Sequence, residues 1–127
     1  MVVCALMRSA TAEAYQEVLH LVKQETDGFV FPAYMGDYDA AMRAAVRAEH
    51  PGVRVYGCLF HYAQSLVRRA SSPQVGLARE IRQPGEILKN FVGLIALPLL
   101  PAEDIVSVFD LLAQEALQAS PRVRSRI

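Results

Sequence analysis

Residues 2–7 (VVCALM) form a short unbroken apolar run, the pattern of a strand buried on both faces. Over 11–24 the period changes to that of a helix, with Tyr15, Val18, Leu19 and Val22 on one face. Ser9 and Thr11 offer N-cap oxygens for it, and Glu13 suits the positive end of the helix dipole. Thr26-Asp27-Gly28 reads as a turn. The apolar run 29–35 (FVFPAYM) predicts a second strand, in which Pro32 requires a bulge or an edge position. A helix over 38–50 carries Ala41, Ala44, Ala45 and Ala48 on one face, a stripe small enough to pack closely on a sheet, and Pro51-Gly52 stops it. Alternation returns over 53–57, with Val53 and Val55 on one face and Arg54 and Tyr56 on the other.

After Gly57 a helix begins, with Leu59, Tyr62, Ala63, Leu66 and Ala70 at core spacing, and Ser71-Ser72-Pro73 ends it. Its other face carries Cys58, His61, Gln64, Ser65 and Arg68. Residues 74–83 are polar and read as irregular or weakly helical. A helix over 86–96 (EILKNFVGLIA) buries Ile87, Leu88, Phe91, Leu94 and Ile95. A tight apolar connection comes next, and Pro101, Glu103 and Asp104 suit the first turn of a last helix that runs to about Gln118 through Ile105, Val108, Phe109, Leu112 and Ala116. These elements predict one α/β domain over 1–127. It would have three strands (2–7, 29–35, 53–57), crossover helices and an all-helical C-terminal third.

Composition narrows the function classes. A chain of 127 residues that is 53% hydrophobic and 20% charged is no disordered tail. The longest apolar run, 91–100, is about half of a membrane span. Residues 1–7 lack the basic start and long apolar core of a secretory signal. Two cysteines make no disulfide framework, so an intracellular, reducing compartment is expected. Thirteen Lys+Arg balance thirteen Asp+Glu, so binding to nucleic acid would have to use local clusters, such as Arg68-Arg69 or the tail Arg122, Arg124 and Arg126.

Candidate chemistry gathers where the two central strands end, which in open α/β sheets is where sites form. Asp37 comes after the strand 29–35 and serves either as a metal ligand facing the cleft or as the N-cap of the next helix. Asp39 reads as a first-turn dipole residue. Cys58 and His61, three apart, share one helix face. They are half of a zinc site, or a Cys-His nucleophile pair without an orienting third residue, or a half-buried thiol beside a satisfied imidazole. His20 and His50 fall on polar helix faces and are expected to be solvated.

The stretch from Phe29 onward resembles the MULE transposase domain, the catalytic core of Mutator-like transposases. The resemblance rests on Asp37-Tyr38-Asp39-Ala40-Ala41 and on Gly57-Cys58-Leu59-Phe60-His61-Tyr62-Ala63-Gln64. It continues through Arg68-Arg69, Gly76-Leu77 and the Leu-Pro stretch 94–101, and upstream through VVCALM and the helix bearing Tyr15. It implies a ribonuclease H-like fold, a nuclear protein and DNA as partner. Two Asp and one Glu would hold two divalent metals, Mg or Mn, for DNA cleavage and strand transfer.

In that resemblance Asp37 matches the second acid, a catalytic and metal-binding residue. Cys58 and His61 match the Cys-x-x-His signature, with Gln64, Arg68 and Arg69 as DNA contacts. The strand of the first acid is expected before Val2, and the helix of the Glu beyond this stretch, since Glu115 comes too early. Asp27-Gly28-Phe29 lies on the wrong side of the first helix to serve. The expectation is therefore a domain truncated at both ends and inactive alone, with a DNA- or protein-binding module as the alternative. A small Cys-His or zinc enzyme is a third class. Without the strands that would separate them, 2–7 is expected to pair in parallel beside 29–35. The resulting three-strand sheet would be prone to self-association.

Overall fold

The computed structural model of the protein describes residues 4–119, which form five α-helices, two β-strands and two short 3-10 helices. They divide into two compact units between His61 and Tyr62.

The first unit opens with α1 (Ala12–Glu25), where Thr11 supplies the cap: its Oγ1 accepts the N–H of Ala14 at 3.3 Å. At its end Asp27 takes a left-handed φ of 53°, and the N–H of Gly28 returns to the carbonyl of Lys23 at 2.8 Å, which closes the expected turn. Then come β1 (Ala33–Gly36), α2 (Ala40–Glu49) and β2 (Arg54–Gly57), with the two strands parallel and α2 as the crossover. The buried apolar side chains of α2 are Ala45 and Val46, at 1% and 0% exposure, so the expected stripe is corrected: Ala45 turns inward, Ala41 is half-buried, and Ala44 and Ala48 are exposed. Helix α1 packs along α2. Lys23 ties them by donating to the carbonyl of Glu49 at 3.1 Å, and His20 Nδ1 meets Glu49 Oε1 at 3.1 Å.

Two strand expectations change. Strand β1 is shorter than 29–35, because the ladder begins only at the carbonyl of Pro32, which accepts the N–H of Arg54 at 3.1 Å. Proline has no N–H to extend the ladder backwards, and Phe29 and Val30 stay exposed before it. Nor do residues 4–7 form a strand; Val2 and Val3 lie outside the described residues. An apolar run becomes a strand only where a neighbour satisfies its backbone, and Leu6 is fully exposed. The sheet of the described residues is thus two-stranded, and the closed three-strand sheet is not formed.

The second unit takes up α3 (Leu59–Ser71) at Tyr62 and adds α4 (Glu86–Ala96) and α5 (Ala102–Ala119), with 3-10 turns at Glu80–Arg82 and Leu97–Leu99. Tyr62 donates its hydroxyl to the carbonyl of Leu94 at 2.9 Å. Helices α4 and α5 approach closely at Gly93, where an added Cβ would lie 2.7 Å from Leu112 Cδ2. The tail arginines lie outside the described residues.

His50 departs from its expected solvation. It is 2% exposed, its ring centroid is 4.1 Å from that of Phe31, and its Nδ1 has no partner among the described residues. The residue is the C-cap of α2, where Pro51-Gly52 turn the chain towards β2 and carry the ring inward. Burial first, then the charge of Lys23, hold its pKa below the ordinary 6.5, against a smaller opposing pull from Glu49. The unfolded chain therefore binds this proton more readily. Stability is full above the unfolded value and falls as pH drops through it towards the folded one. We expect the melting temperature to decline between about pH 7 and pH 5. That slope should flatten in His50→Leu, measured by circular dichroism across the series.

Candidate functional site

The register of the ladder sets the site. Gly36 pairs with Gly57, and the N–H of Cys58 donates to the carbonyl of Gly36 at 2.7 Å. Asp37 and Cys58 therefore leave the sheet side by side, at the carboxyl ends of two parallel strands. Asp37 is exposed and makes a local turn, its Oδ1 accepting the N–H of Asp39 at 3.1 Å.

Asp39, not Asp37, caps α2: its Oδ1 accepts the N–H of Met42 at 2.9 Å, and the helix starts at Ala40. This corrects both the start at 38 and the capping alternative for Asp37. The turn closed by Asp37 occupies 37–39 and defers the first helical residue. The cap then falls three residues before the N–H it satisfies. By sequence the cap goes to Asp37 and the dipole role to Asp39, with Tyr38 between them, and only the turn assigns the cap to Asp39.

Tyr38 lies across the end of β2. An added Cβ at Gly57 would collide with the hydroxyl end of its ring, so glycine is what lets the ring sit there. The guanidinium of Arg43 stands over the same ring, 5.5 Å from the centroid. On β1, burial and then the carboxylates of Asp37 and Asp39 push the Tyr34 phenol above its ordinary pKa.

Cys58 is a half-buried free thiol, and His61 is exposed, with the Phe60 ring edge-on at 5.6 Å. Among the described residues no hydrogen bond joins Cys58 to His61. Gln64, Arg68 and Arg69 are exposed in the second unit, where Arg68 Nη2 donates to Gln64 Oε1 at 3.1 Å. Neither arginine has a salt bridge among the described residues.

Over residues 1–65 the chain matches the family model of the MULE transposase domain. It belongs to that family. The match takes in Asp37, Cys58, His61 and Gln64; Arg68-Arg69, Gly76-Leu77 and 94–101 lie beyond it. No curated protein and no solved structure matches the chain.

The MULE reading implies two divalent metals, and the donors here do not fit them. No group of three or more His, Cys, Asp and Glu side chains converges among the described residues. At the strand end Asp39 is engaged by the helix cap, which leaves Asp37 as the one acid without a role in α2. Reading the sequence by spacing also passed over Asn90. It falls on the stripe Ile87, Phe91, Leu94 of α4 and is buried at 6% exposure. A polar residue on an apolar stripe was the available signal.

The two aspartates should separate in stability. Asp39→Ala is expected to lower the unfolding free energy by about 1 kcal/mol, and Asp37→Ala by less than half as much. Urea unfolding of both variants checks the order.

Proposed function

We propose that this chain is part of the catalytic core of a Mutator-like DNA transposase and does not cleave DNA by itself. The observation that carries the reading is Asp37: exposed, released from capping, and held beside Cys58 at the end of a parallel strand in a MULE-family chain. In the family reading Asp37 would be one ligand of a pair of divalent metals, Mg or Mn, whose chemistry would be water activation and leaving-oxygen stabilisation. One carboxylate cannot hold such a pair. Asp37 is then one of three acids, and the first Asp and the Glu must come from elsewhere. Cys58 and His61 support the strand end or contact DNA. A nuclear location comes with the same reading.

The purified chain should show no Mg²⁺- or Mn²⁺-dependent nicking of supercoiled DNA. Nicking that is present and is lost in Asp37→Ala overturns the reading.

A second reading, DNA binding without catalysis, is favoured by the exposed arginine pair, which has no carboxylate partner among the described residues. With net charge zero, binding through these side chains would be local and salt-sensitive. Arg68→Ala/Arg69→Ala should reduce the salt slope of DNA affinity by about 2 if both contact phosphate. An unchanged slope in fluorescence anisotropy removes them from the interface.

Self-association is the third part of the proposal. Met35 and Tyr56 pair across the ladder on one face of the sheet, 68% and 46% exposed. Such a face, with few strands, is a template for another copy. Light scattering should show species larger than a monomer, and Met35→Lys should shift them towards it.

A further inference from the structure

The geometry points to a binding pocket in the second unit for a small, uncharged, flat molecule with an amide-like edge. A cavity of about 240 Å³ lies among α4, α5 and the 3-10 turn Glu80–Arg82. Ile81, Phe91, Leu94, Phe109 and Leu112 are among the residues that line it, together with Asn90 and no charged side chain. Asn90 is 6% exposed, and neither its amide nitrogen nor its amide oxygen has a hydrogen-bond partner among the described residues. Buried amides are almost always paired, so an unpaired one in a cavity wall marks what the cavity lacks.

The chemistry of the wall selects the ligand. Without a counter-charge an ion would be left bare, and one side chain cannot satisfy a sugar or a nucleotide. A bridging water needs two to four polar partners, whereas the lining offers a single amide. An apolar cavity of roughly 150 Å³ holds benzene, so this one has room for two fused rings. The primary amide of Asn90 presents a donor beside an acceptor. A cyclic amide, with N–H next to C=O, completes both bonds at once. Phe109 lines the cavity and is 48% exposed. This inference stands apart from the DNA reading, since none of these residues belongs to the strand-end site.

The test uses the whole chain and two probes of one shape: 2-quinolinone, a bicyclic lactam, and naphthalene, which has the rings without the amide edge. Saturable binding of 2-quinolinone is expected, followed by amide shifts in α4 and α5 and by a raised melting temperature. Asn90→Leu should weaken it by about tenfold or more while keeping or improving naphthalene. Asn90→Ala serves if the leucine does not fold, with the same loss of lactam preference. Ala113→Leu, which narrows the cavity, should weaken both probes. The proposal is overturned by no saturable binding up to the solubility limit. It is equally overturned by equal affinity for the two probes, or by lactam binding unchanged in the Asn90 variants.

Discussion

The first unit depends on the parallel pairing of two four-residue strands. Each is too short to stand without the other. Their register brings both strands to glycine at the same level, Gly36 opposite Gly57, and the bond from Cys58 to Gly36 carries the ladder one step further. The residue after each glycine is thereby fixed in space: a carboxylate after one, a thiol after the other. Helix α2 can cross between the strands because its buried face is Ala45 and Val46. Its ends are held by different means, a carboxylate cap at Asp39 and an inward imidazole at His50.

Much of this was legible in the residues. The Thr11 cap, the turn at Asp27-Gly28 and the 86–96 helix all rest on local chemistry, and all form where expected. The juxtaposition of Asp37 and Cys58 was legible too, since each comes just after a strand and a glycine. The strand failures share a cause, for each depends on a partner distant in sequence, whereas the cap and His50 turn on where the helix begins and ends. Residues 4–7 are apolar but have nothing to pair with, so hydrophobicity alone made no strand. Phe29 and Val30 drop out because the neighbouring strand meets the chain only at Pro32. His50 reads as a polar-face residue by helical spacing, yet the spacing stops applying at the cap, where the backbone leaves the helix.

The second unit shows the same limit from the apolar side. Counting hydrophobic positions correctly placed Ile87, Phe91 and Leu94 on one stripe of α4 but said nothing of the polar residue among them. Gly93 brings α5 close enough for Leu112 to fill the space a side chain would take, which sets how near the two helices run. A family assignment that rests on residues 1–65 does not reach these helices, and their role has to be argued from their own packing.

The Tyr38 ring has a practical consequence. The chain contains no tryptophan, and its emission comes from five tyrosines. Tyr34 and Tyr56 lie on the paired strands, and Tyr38 covers the glycine at which one of them ends. Most of the intrinsic fluorophores therefore surround the candidate site. The protein carries its own optical reporter there, and an ion or nucleic acid arriving at the strand ends can be followed without a label.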